Sequence, residues 1–267
     1  GINPEKLDLV AFAGETWSPR YILTRRASTY SVQDRLREQR EYWHPVCFIK
    51  RHFPSLAIMA FGLKTLVEKE RYSGICGGDG ERCREGTRAF WDSIQAAAEE
   101  AYDRSDSCDF TSFVGYEWTA SVGHGQNLHR NVIFRNDKVP PLPVSWIDTP
   151  TAVDLWDQLQ SECVDGISGC DAFTIPHNSN LSLGLMFDMV DSEGRPISAE
   201  YARTRMRWEP VVEVLQIKGT SETHPLLSPI DEFANFEIYE TLLRSGVVDT
   251  DPAAGSYART GLLRGLD

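Results

Sequence analysis

Glu117, His129 and His177 are side chains of the types that hold transition-metal ions, and each stands at the end of, or beside, a short apolar run. Carboxylate and imidazole together suit Zn, Mn or Fe, and a carboxylate that bridges two ions suits hydrolysis. A carboxylate at the end of a buried strand is costly to leave alone, so the simpler reading of Glu117 is a salt bridge to Arg130 or another arginine. The histidines strengthen the metal reading because polar neighbours able to orient an imidazole flank both: Asn127, Arg130 and Asn131 for one, Asn178 and Asn180 for the other. A lone histidine is more often a structural hydrogen-bonder, but two at separate strand edges converging with a carboxylate define a candidate site. The planar fork of Arg130 matches a phosphate group, which makes it a candidate clamp for an anionic substrate; its plainer role is an ion pair. Lys218, Glu222 and His224 follow a strongly apolar run and are second-rank candidates, Lys218 as a second cation for the anion. His44, His52 and His124 read as surface or loop residues. The chain has no G-x-S-x-G elbow, Walker loop, strand-linked G-x-G-x-x-G or H-E-x-x-H, and Gly77-Gly-Asp-Gly80 lacks the oxygen-ligand spacing of an EF-hand.

Such residues need strands to present them. Leu7 to Phe12, Phe110 to Tyr116, Asn131 to Phe134, Ala172 to Ile175 and Val211 to Ile217 read as short strands. Phe90, Ile94, Ala97, Ala98 and Ala101 recur at helical spacing, predicting a helix from Thr87 to Arg104 with Thr87 as its cap. Thr149-Pro150 opens a second helix, with Val153, Trp156 and Leu159 on one face; Ser198 to Arg207 and Asp231 to Ser245 read as further helices. Helix alternating with strand implies a mainly parallel sheet, and in parallel barrels the chemistry sits at the C-terminal ends of the strands. Residues 20–86 fit this pattern poorly and read as an irregular insertion or lid, with a helix around Ser31 to Tyr42, inside one large domain spanning 1–267.

With 27 Lys and Arg against 39 Asp and Glu, the net charge is -12, which argues against nucleic acid or an anionic membrane as partner. No apolar run approaches the roughly 20 residues that span a bilayer, and there is no charged start with an apolar core of the signal-peptide kind. Among six cysteines, Cys76 with Cys83 and Cys163 with Cys170 each enclose six residues rich in Gly and Asp. That spacing suits a disulfide better than a zinc knuckle, with free thiols the alternative. Bridged pairs point to the periplasm or cell exterior, unbridged ones to the cytoplasm.

Gly115-Tyr-Glu-Trp-Thr119, Asn127 to Phe134, Ile175 to Asn180, Trp208 to Val214 and Gln216 to Pro225 together resemble domain-of-unknown-function family 3604, from about Thr87 to the end. That family is similar to the polymerase-and-histidinol-phosphatase (PHP) superfamily of metal-dependent phosphoesterases. The resemblance implies an α/β fold, an incomplete distorted (βα)7 PHP-like barrel, with two or three divalent metal ions in a complete site. Carried over by motif, the ligands fall on Glu117, His129 and His177. The superfamily's opening His-x-His and closing Asp-x-His elements would lie before Gly1 and after Asp267, so the chain is expected to be a piece of a longer protein. Its Thr-Asp-His is replaced by Ala13-Gly14-Glu15, leaving Glu15 as a substitute ligand. The implied activity is metal-dependent hydrolysis of a phosphoester or similar small anionic ester, with metal affinity weakened by the missing ligands. The alternatives are a non-catalytic relative that binds a ligand or partner through a degenerate site, and a secreted structural module. The sequence leaves the oligomeric state, substrate and metal open.

Overall fold

The computed structural model describes residues 68–71, 73–122, 126–239 and 254–265, together with His52. The expected first strand at Leu7, the helix at Ser31 to Tyr42, Glu15, His44 and His124 lie outside these residues. His52 is exposed.

The longest helix, α1 (Glu81–Ala101), buries Trp91, Ile94 and Ala98, one stripe at helical spacing. It begins six residues before the expected cap. Gly80, in the left-handed region at φ 74°, is the N-cap, and Thr87 lies inside the helix, its hydroxyl donating to the Cys83 carbonyl at 2.9 Å. A disulfide joins Cys83 to Cys76 at the end of a single helical turn, Ser73–Cys76, and so anchors this early start. The part of the expected insertion from residue 81 onward is therefore helix.

β1 (Gly115–Trp118) is followed by a two-residue antiparallel hairpin, β2 (Ser121–Val122) and β3 (Gln126–Asn127), and by β4 (Arg130–Phe134). α2 (Ala152–Leu159) then widens into a π-helical turn, Gln160–Val164, and the Cys163–Cys170 disulfide closes the loop before β5 (Ala172–Pro176). The N-cap of α2 is Thr151 rather than Thr149. Its hydroxyl accepts from the Asp154 amide while the Asp154 carboxylate accepts from its own amide, a reciprocal pair that satisfies two otherwise orphaned donors. The Thr149 hydroxyl instead donates to the Ser145 carbonyl.

β1, β4 and β5 form one sheet in the order β1-β4-β5. It is antiparallel, not parallel. Phe134 donates to the Val114 carbonyl, so β1 begins where β4 ends; Arg135 donates to Asp171 and His177 to His129, at opposite ends of the β4–β5 pair. The stretch between β1 and β4 is too short for a crossover helix. The α2 connection begins and ends at the same end of the sheet, so a helix between two strands does not here mean a parallel crossover. No barrel forms among the described residues; the architecture is mixed α/β, with four helices beyond single turns and small antiparallel sheets.

α3 (Ala199–Trp208) matches its expected span closely, with the Ser198 hydroxyl accepting from the Tyr201 amide as N-cap. The run Val211 to Ile217 forms far less strand than its composition suggests. Only β6 (Leu215–Gln216) pairs, antiparallel with β7 (Gly219–Thr220), while Val211, Val214, Leu215 and Ile217 are all exposed, Ile217 at 87 %. Gly219 closes the turn at φ 91°, where a Cβ would lie 2.7 Å from the Glu237 carbonyl oxygen; both facts demand glycine. The described part of the expected helix at Asp231, up to residue 239, consists mainly of turns. Its Asp231 carboxylate accepts from the Phe233 amide and from Arg259, and Phe233 and Phe236 remain exposed, so no apolar face drives a helix. A helix the periodicity did not reveal, α4 (Ala258–Arg264), follows.

Among the described residues the chain divides into two compact units, one holding those up to Glu117 and Ile133–Ala172, the other Trp118–Val132 and those from Phe173 onward. The first is built on Trp91, whose indole donates to the Pro140 carbonyl and whose ring meets Tyr116 edge-on at 5.7 Å and Phe134 at 5.9 Å. Leu155, Trp156 and Leu159 of α2 are wholly buried in it. The second buries Trp118, Met186, Trp208 and Tyr257, and Thr174 donates to the Trp208 carbonyl. No helix among the described residues is long and apolar enough to cross a membrane.

Candidate metal site

Side chains alternate between the faces of a strand, and the register of the three-stranded sheet sorts its residues accordingly. One face carries Tyr116, Trp118, Arg130, Val132, Phe134, Ala172, Thr174 and Pro176, all buried. The other carries Glu117, Ile133, Phe173 and Ile175, all half-buried, with Asn131 buried. Counting from the Phe134–Val114 bond, Glu117 stands opposite Asn131, and the His177–His129 backbone bond of 3.0 Å places the two histidines side by side just beyond the strands. Glu117, His129 and His177 therefore share the less buried face.

Their ligand atoms lie within 4.8 Å of one another, His129 buried and the other two half-buried. The imidazoles are nearly parallel, with centroids 6.3 Å apart and planes inclined by 28°. One carboxylate and two imidazoles form a donor set that Zn, Mn or Fe accepts, and the spacing lets one ion reach all three after small side-chain adjustments. The Ser121 hydroxyl contacts Nε2 of His129 at 3.3 Å. Glu213 accepts from Nδ1 of His177 at 2.7 Å, and the Asn178 amide nitrogen stands 2.7 Å from Nε2 of the same ring. A carboxylate behind a ligand histidine fixes its orientation and raises its basicity. Sequence reasoning placed Glu213 in a strand and missed this contact; the signal was an acidic residue inside an otherwise apolar run.

Arg130 takes a different partner from those expected. It lies on the buried face, 4 % exposed, and its Nε donates to Glu209 at 2.8 Å while another nitrogen donates to the Leu128 carbonyl. Arg205 reaches the second oxygen of Glu209, also at 2.8 Å. Burial alone would raise the Glu209 pKa, but the two guanidinium groups outweigh it and hold the carboxyl below its ordinary value. Arg130 is thus placed to neutralise a buried carboxylate rather than to face the triad. Lys218 is exposed on the β6–β7 turn. Glu222 pairs with Arg259 at 2.6 Å and His224 packs against Tyr257; neither belongs to the triad.

Fold and site together define a mixed α/β protein with a sheet-borne Glu/His/His group able to hold a metal ion. The chain belongs to the DUF3604 family, described as a protein of unknown function, which matches residues 35–267. No curated protein and no solved structure matches it.

Proposed function

We propose that this domain carries the metal centre of a metal-dependent hydrolase of PHP-like type, acting on a phosphoester or similar anionic ester. The observation that carries the reading is the convergence of Glu117, His129 and His177 on one sheet face, with ligand atoms within 4.8 Å. An ion held there would supply Lewis-acid activation of water and of an ester oxygen. Glu117 contributes the negative charge of the donor set, His129 and His177 the neutral nitrogens, and Glu213 holds His177 in place. Lys218 is the cation we assign to the substrate anion; Arg130, the other cation expected to hold it, is engaged by the buried Glu209 instead. A second ion would draw on ligands outside the described residues, with Glu15 the candidate in this chain. Two disulfides favour an extracytoplasmic setting such as the periplasm or cell exterior.

A second reading, a non-catalytic relative that binds a ligand or partner, is favoured by one observation. Ser121 and Asn178 already contact the ring nitrogens of the two histidines, so a polar network is in place without an ion. Elemental analysis after incubation with Zn, Mn or Fe separates the two. Metal bound to the wild-type chain and lost in Glu117→Ala and His177→Ala supports the hydrolase and justifies a phosphoester screen. No metal in the wild type leaves the second reading.

A further inference from the structure

The hydrogen bonds around His177 run as an ordered chain, and its direction is fixed by a donor whose identity is not in doubt. The backbone N–H of Lys218 donates to Oε1 of Gln216 at 2.8 Å. That assignment turns the Gln216 amide nitrogen toward Oδ1 of Asn178, with which it is in contact. Asn178 must then present its own NH2 to Nε2 of His177, at 2.7 Å. A ring nitrogen that faces an N–H donor offers a lone pair, so the proton of the neutral ring resides on Nδ1, where Oε2 of Glu213 accepts it at 2.7 Å. The two ends of the chain agree independently on the same tautomer.

The scaffold is built to hold this arrangement. Asn178 is completely buried and sits in the left-handed region at φ 53°, a conformation asparagine tolerates better than most residues. Its backbone N–H also approaches the other oxygen of Glu213, at 3.4 Å. Asn180 ties the same loop to the β6–β7 turn, donating to the Lys218 carbonyl at 2.9 Å and exchanging hydrogen bonds with Ser221.

From this geometry we infer that Glu213, Asn178 and Gln216 are positioning residues that lock His177 as the Nδ1-protonated tautomer, making Nε2 the ligating atom, with the Asn178 amide capping that lone pair until an ion displaces it. The inference rests on the metal reading above for its purpose, but not for its geometry. Glu213 assists binding, because it fixes the tautomer a ligand needs. Asn178 opposes it, because its amide holds the same lone pair.

The test begins with the metal-free wild-type chain and needs no variant to fold. Two-bond proton–nitrogen correlation of the histidine rings, with His177 assigned by its loss in His177→Gln, should show Nδ1 protonated at a pH where the ring is neutral. An Nε2-protonated ring would overturn the inference. Zinc affinity, measured by competition with a chromophoric chelator, then separates the roles. Glu213→Gln should weaken binding 10- to 100-fold. Asn178→Gly, which keeps the left-handed backbone available and removes the cap, should tighten it several-fold. Unchanged affinity in both variants, each shown to be folded, would overturn the positioning roles. If the wild type takes up no zinc at all, the metal reading fails while the tautomer signal still decides the geometry.

Discussion

Glu209 illustrates how much one buried carboxylate can carry. It is held by Arg130 and Arg205 at 2.8 Å each and is 2 % exposed on its side chain. Replacing it with glutamine leaves the buried Arg130 and the half-buried Arg205 facing a neutral amide, and removing one partner of a buried pair costs about 3–5 kcal/mol. The pH dependence follows from the direction of its shift. Its folded pKa is depressed, so its contribution is complete above the ordinary glutamate value of about 4.3 and is lost as pH falls through the lower folded value. Urea melts at neutral pH should show the full gap between wild type and Glu209→Gln, and melts well below about pH 4 a smaller one. A gap that stays constant across that range would refute the assignment. The residue pattern also explains what could be foreseen. Glu117, His129 and His177 were legible because metal-capable side chains are scarce beside apolar runs. The roles of Glu213 and Glu209 were harder to read, because His177 and Arg130, the partners that define them, lie 36 and 79 residues away in the chain; the local signs, an acid within an apolar run and Arg205 one helical turn before Glu209, do not name those partners.

Local capping and covalent closure govern the elements on which these residues sit. The α2 capping box joins Thr151 to Asp154 in both directions, and Thr151→Ala should cost about 1 kcal/mol, a fall in Tm of roughly 2–4 °C by calorimetry. Cys163 and Cys170 close a short loop directly before β5, and the loop-entropy argument gives their bond about 2.5 kcal/mol. The double substitution Cys163→Ser with Cys170→Ser should lower stability by about that amount in chemical melts. A reductant should lower the stability of the wild type by more than that of the variant, which lacks this bond. The expected boundaries held to within a residue for the helix Ser198 to Arg207 and the strand Ala172 to Ile175. They failed where composition misled. Val211 to Ile217 is rich in β-formers, yet strand identity depends on continuous pairing and a covered face; the run makes only isolated backbone bonds to Pro176 and Ser221 outside the short β6, and most of its apolar side chains are exposed. Sheet direction was equally hidden, because it depends on which end of the sheet the α2 connection re-enters.

The distribution of charge and exposure across the chain sets what it meets. A net charge of -12 repels nucleic acid, and a filter-binding assay at about 0.15 M salt should detect no retention of single- or double-stranded DNA. Ile217, at 87 % exposure, contributes little to folding despite its composition, so Ile217→Thr should change stability by no more than about 0.5 kcal/mol. The deeper consequence lies in the two-sided sheet. His129 and Arg130 are neighbours in sequence, yet one serves the open face and the other the buried ion pair. Inserting a single residue between Asn131 and Phe134 would exchange them, driving an imidazole into the core and a guanidinium into the ligand group. Inserting two would restore both. The chemistry of this site is written partly in odd and even numbers, and its tolerance to insertion should follow parity rather than size.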